Sequence, residues 1–220
     1  MPMMLALTIL TGVVDAASYL SFGHVFVANM TGNIVFLGFA LAGAHGVSGV
    51  TSLVAIGAFL LGALAGGRLG SRRAQHRGHV LRAASVLQGG LIALALALAL
   101  ALTEPLSSGA RYALLVPMAL AMGVQNATAQ RLAVPELTTT VLTRTLTGLS
   151  SESRAAGGPG SQLGRRALAV TAMLLGAVIG GLLVLNVSIA AALAVAGAIV
   201  LAVGLIVHRL SRADAVWAHA

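Results

Sequence analysis

Phe26-Val27-Ala28-Asn29-Met30-Thr31-Gly32-Asn33 is the stretch that decides how this chain folds. It lies behind a long apolar run, 3–22, and leads into a short one, 30–43. A hydrocarbon layer of roughly 30 Å takes about 20 helical residues to cross. The first run is long enough and the second is not. Asn and Thr are good helix N-caps, and Gly32 permits close approach of the backbone. The reading is a spanning helix, a break at Ser21-Phe22-Gly23-His24, and a half-helix that starts inside the membrane. Its free N–H groups and positive dipole end would then face the interior.

Composition sets the class. The 220 residues are 58% hydrophobic and only 8% charged, where a soluble domain would be about a quarter charged. Several membrane-crossing runs account for that deficit and a soluble core does not. The net charge is +8, and every basic residue is an arginine. The arginines sit between apolar runs and form no stripe with aromatics. They therefore read as topology determinants, and no nucleic-acid partner is expected. With no cysteine, disulfides, thiolate metal sites and a Cys nucleophile are excluded. The apolar N-terminus lacks a basic leader region and carries Asp15, so it reads as the first membrane helix and not as a cleaved signal.

Six more runs follow: 50–69, 83–102, 112–130, 137–149, 167–185 and 188–207. The second of the two short runs, 137–149, is rich in threonine, and Pro117 marks an expected kink. Arginine placement decides the crossing count. With eight crossings, the basic loops 68–82 and 151–166 fall on opposite sides and no orientation bias remains. With six, both loops and the C-terminal arginines share one face, and only Arg111 clearly opposes them. The positive-inside rule favours six crossings plus two interrupted or re-entrant segments, with the arginine-rich face and the C-terminus cytoplasmic. The expected fold is all-α and polytopic, set in the inner (plasma) membrane.

Six crossings divide evenly. Residues 1–102 hold three, 103–111 connect, 112–208 hold three more, and 209–220 form a polar tail. An odd number per half inverts one half relative to the other, a recurrent transporter plan. Gly12-Val13-Val14-Asp15-Ala16 resembles Gly123-Val124-Gln125-Asn126-Ala127, and Asp15 precedes Asn29 by the same interval as Asn126 precedes Thr140.

The candidate pathway residues come from intramembrane polarity, which is costly unless it is used. Thr8, Thr11, Asp15 and Ser18 share one helical face, with Tyr19 a turn beyond Asp15. Asp15 is the expected ion or proton site. Met122, Asn126 and Gln130 form the matching face later in the chain. Asn29, Thr31 and Asn33 open one half-helix, Thr140 opens the other, and Arg144 follows a turn later. Two such N-termini meeting at the midplane would take an anion or a carboxylate. Gly62, Gly66, Gly70, Gly176 and Gly180 lie at helix-packing spacing. The six histidines show no metal-ligand spacing, and neither cofactor nor metal is expected.

Gly12 to Tyr19, Phe26 to Asn33, Gly123 to Ala127 and Thr138-Thr139-Thr140-Val141-Leu142-Thr143 together resemble the signature of the YoaK-type family of bacterial membrane proteins. The resemblance covers nearly the whole chain. It implies an integral membrane protein of broadly six-helix type and carries over no catalytic residue and no substrate. Thr143-Arg144 departs from it, standing where a small residue or glycine is expected.

The expectation is a secondary transporter or channel for a small polar or anionic solute, with a coupling proton and a wet cavity shared by Asp15 and Asn126. Two other classes stand beside it. One is a structural or sensory membrane protein whose polar residues only pack. The other is an intramembrane enzyme acting on lipid, disfavoured because no second catalytic group clusters with Asp15 or His24.

Overall fold

Apolar length becomes helix nearly everywhere in the computed structural model, which describes residues 2–72, 77–102, 105–131, 142–151 and 163–212. Among the described residues the chain forms eight helices: α1 (Pro2–Ser21), α2 (Met30–Leu41), α3 (Gly49–Arg72), α4 (Arg77–Ala101), α5 (Ser108–Arg131), α6 (Leu142–Ser151), α7 (Leu163–Asn186) and α8 (Ile189–Arg212). Six of them, all but α2 and α6, are long and apolar enough to cross a membrane. At 1.5 Å per residue, α2 reaches only about 18 Å, so the short run expected after Asn29 is a half-length helix. Thr138, Thr139 and Thr140 lie outside the described residues, as does the side chain of Arg144.

The helices outrun the apolar runs. The basic stretch before Arg82 is not all loop, because α4 already begins at Arg77. Likewise α7 begins at Leu163 and α8 continues to Arg212. Helix is the cheapest way to satisfy backbone groups through the interfacial layer. An arginine stem can lie along a helix while its head reaches water, so such residues do not end one. Pro117 lies inside α5, which runs on through it to Arg131.

α1 and α5 are the two central helices, and the other long helices bury far less of their surface. α3 and α4 flank α5, while α7 and α8 flank α1, and α4 packs on α8 across the middle. Glycine sets the closest contacts. A Cβ on Gly62 would collide with the Leu120 carbonyl, and one on Gly66 would crowd that of Val124. A Cβ on Gly123 would strike the Phe59 carbonyl. At the other pair, Gly176 faces the Ile9 carbonyl, Gly180 that of Val13, and Gly12 that of Met173. Contacts advance together along α3 and α5, and along α1 and α7, so each pair is parallel. Lipid offers no hydrophobic drive for helices to associate, so such backbone-close packing carries the association.

These directions put the arginine-bearing ends of α3, α4, α5, α7 and α8 on one face of the bundle. Arg111, near the start of α5, lies at the other.

Candidate functional site

α1 ends in a tight reversal. His24 N–H donates to the Tyr19 carbonyl at 3.1 Å, five residues back. Gly23 and His24 both adopt positive φ, 86° and 62°. Glycine takes this conformation freely, and His24 holds it while its ring packs edge-on against Tyr19, 5.0 Å between centroids. The chain then runs back along α1, burying Phe22, Val25, Val27 and Ala28.

Irregular backbone at this depth is tolerated only when its polar groups are satisfied, and Asp15 does this. Its Oδ1 accepts the N–H groups of Val27 at 3.0 Å and Ala28 at 2.8 Å. Asn33 does the same for Phe26: its Oδ1 accepts the Phe26 N–H at 2.9 Å, and its Nδ2 donates to the Phe26 carbonyl at 2.7 Å. Asn29 caps α2 by accepting the Gly32 N–H at 3.4 Å. Tyr19, Phe26 and Phe36 stack over this segment, with centroids 5.1–6.1 Å apart. The polar residues of the opening motif therefore hold their own broken backbone.

A second polar cluster crosses the middle of the bundle. Gln125 Nε2 donates to Thr11 Oγ1 at 3.0 Å and lies 3.4 Å from the Leu7 carbonyl, while Gln125 Oε1 accepts from Gln88 Nε2 at 2.5 Å. This ties α1, α4 and α5 together. Interhelical hydrogen bonds in membranes average about 0.6 kcal/mol and reach about 1.7. Gln125→Leu is thus expected to lower stability by that order, measured by unfolding in mixed micelles, and an unchanged midpoint would make the cluster energetically idle.

The remaining candidates fall elsewhere. Asn126 is buried and donates to the Met122 carbonyl at 3.0 Å, one turn back. With Gln130 and Arg131 it lines a cavity of about 420 Å³ walled by Phe59, Ala63 and Gly67 of α3. A second cavity, about 370 Å³, opens at the opposite end of the same helix pair. Ser48, Thr51, Arg111 and Tyr112 line it with Phe22 and Gly23, and Thr51 Oγ1 lies 3.3 Å from the Tyr112 hydroxyl.

The structure thus brings Asp15, Asn29 and Asn33 together around one backbone segment. It gathers Asn126 and Gln130 at one cavity, and it does not join the two groups. The Asn126 cavity takes its walls from α3 and α5, with none from α1. Thr31 and Asn29 are exposed. Gln88, Thr51, Arg111 and Tyr112 were not among the sequence candidates. Gln88 and Gln125 could have been found as amides deep in apolar runs, whereas Thr51 and Tyr112 carry no sequence signal until α3 and α5 are paired.

The model of the family described as "Protein of unknown function (DUF1275)" matches residues 3–206. The chain belongs to this family. It is 35% identical over 154 residues to the UPF0700 transmembrane protein YoaK of Bacillus subtilis (strain 168). That match takes in 66% of this chain and 64% of the relative's length. No solved structure matches. Family membership agrees with the resemblance carried by Asn29-Met30-Thr31-Gly32-Asn33 and with a multi-pass membrane protein.

Proposed function

We propose that this protein moves a small anionic solute along the α3–α5 interface. The observation that carries this is the pair of cavities at opposite ends of those two helices, each with polar side chains and an arginine in its wall. Between them α3 buries Ala55 and Ala58, and Gly62 packs on Leu120 alongside the inner cavity. The cavity at Asn126 reaches along α3 to Phe59, about 15 Å from the helix start at 1.5 Å per residue, so it extends to mid-depth. The arginine-rich face is the cytoplasmic one under the positive-inside rule. Each end of the interface then has its own cavity, and the Thr51–Tyr112 contact lines the outer one.

Alternating access in this reading comes from inverted repeats, α1–α4 against α5–α8. Matched contacts support it. Gly62 against Leu120 has its counterpart in Gly176 against Ile9, and Gly66 against Val124 in Gly180 against Val13. The contact of Gly123 with Phe59 corresponds to that of Gly12 with Met173. The same correspondence pairs Asp15 with Asn126. A proton site at Asp15 is the remaining part of this proposal, and the two backbone bonds to that side chain weigh against it.

Uptake of radiolabelled small anions into proteoliposomes tests the proposal. Arg131→Gln and Arg111→Gln are each expected to cut uptake by about tenfold, the equivalent of one charge-assisted contact of ~1.4 kcal/mol. Both residues are exposed, so folding is expected to be unaffected. No uptake across an anion panel, with the protein folded, would favour the second reading. In that reading the protein is a scaffold or sensor whose polar motif only supports its own loop, as the contacts of Asp15 and Asn33 suggest.

A further inference from the structure

α4 and α8 pack antiparallel through small residues. Gly89 faces Val200, Gly204 faces Ser85, and Gly197 faces Ile92. Beside this contact they leave a groove of about 600 Å³, walled by Val86, Ala93, Leu201 and Leu205. Val86, Leu201 and Leu205 are more than half exposed. The groove is apolar along its length and basic at one end, where Arg82 and His208 line it.

Three features select an occupant. The groove opens sideways on the outer face of two spanning helices, where acyl chains are the surroundings. It runs from Arg82 to Leu96, roughly 21 Å at 1.5 Å per residue, enough for a chain that fills one leaflet of about 15 Å. Its cationic end lies on the arginine-rich face, about 8 Å in from the start of α4, the level at which a phosphate would sit. A second protein copy would bury Arg82 against another Arg82 across a twofold axis, which a lipid phosphate avoids.

We propose that this groove is a binding site for one anionic phospholipid, its acyl chain between α4 and α8 and its phosphate paired with Arg82. The site is separate from the α3–α5 interface, and its occupancy does not depend on transport.

Native mass spectrometry of the full chain, titrated with phosphatidylglycerol or with chain-matched phosphatidylcholine, tests this. Arg82→Gln is expected to weaken phosphatidylglycerol binding about fivefold, the ~1 kcal/mol of one arginine near an anionic headgroup, and to weaken phosphatidylcholine less, because its choline offsets the charge of the same phosphate. Ala93→Phe fills the groove at an exposed position and is expected to weaken both lipids. Arg209→Gln, on the same face but outside the groove, is expected to change neither. Unchanged phosphatidylglycerol binding in Arg82→Gln, or an equal loss in Arg209→Gln, would overturn the site. A dimer that Ala93→Phe dissociates would overturn it in favour of a second copy.

Discussion

Asp15→Ala unfolds the segment between α1 and α2. The substitution leaves the Val27 and Ala28 N–H groups buried without acceptors, and each such orphan costs roughly 1–3 kcal/mol. The expected loss is therefore about 2–6 kcal/mol, a large share of the margin that keeps a protein folded. Asp15→Asn keeps an acceptor oxygen for both N–H groups and is expected to lose much less than Asp15→Ala. Thermal unfolding in detergent orders the three proteins. Backbone hydrogen exchange at residues 26–29 locates the damage, since it should rise in Asp15→Ala before the long helices open. Equal midpoints for wild type and Asp15→Ala would mean that the carboxyl group does not support this loop. Anion uptake by Asp15→Asn then separates support from proton coupling: retained uptake with an unaltered pH profile removes the coupling role.

The second large effect lies in the glycine contacts and carries a sign test. Gly→Ala in an exposed stretch of helix stabilises by roughly 0.5–1 kcal/mol, because alanine loses less conformational freedom. Gly57 has open space around it, and Gly57→Ala is expected to show that gain. Gly62→Ala and Gly176→Ala are expected to show the opposite. Their new methyl groups meet the Leu120 and Ile9 carbonyls, which are backbone and cannot rotate away. Helix separation or overpacking costs about 1–3 kcal/mol. Equivalent losses at Gly62 and Gly176 would also match the proposed repeat. A gain at either would mean that its helix pair is not closely packed.

Much of the architecture was legible in the chain. Run length separated six spanning helices from the short helix after Asn29, because membrane thickness is a fixed ruler. Arginine placement favoured the same count. The glycines at 62, 66, 176 and 180 were recognisable as packing positions from their spacing alone. Gly12 and Gly123 stood out only as parts of a repeated pentapeptide, and their contacts with α7 and α3 emerge when the helices are paired.

The site was less legible. Polarity inside an apolar run shows that a residue has a reason to be there, but not which reason. Asp15 and Asn33 read as pathway residues because their hydrogen-bond partners are backbone groups, which leave no mark in composition. Thr51, Tyr112 and Arg111 read as unremarkable helix-end residues because a cavity is a property of two helices and not of one.

Chain composition thus determined by itself that this is a multi-pass helical membrane protein with an interrupted segment after its first helix. Apolar length and the cost of buried polar groups act on each segment alone, and both are countable along one strand of residues. Which polar groups line a cavity was decided only by tertiary structure. The 22–29 segment folds back and occupies Asp15, whereas α3 lies beside α5 so that Asn126, Gln130 and Arg131 line a cavity. Hydrogen-bond capacity is finite, and only the packed arrangement determines where it is consumed.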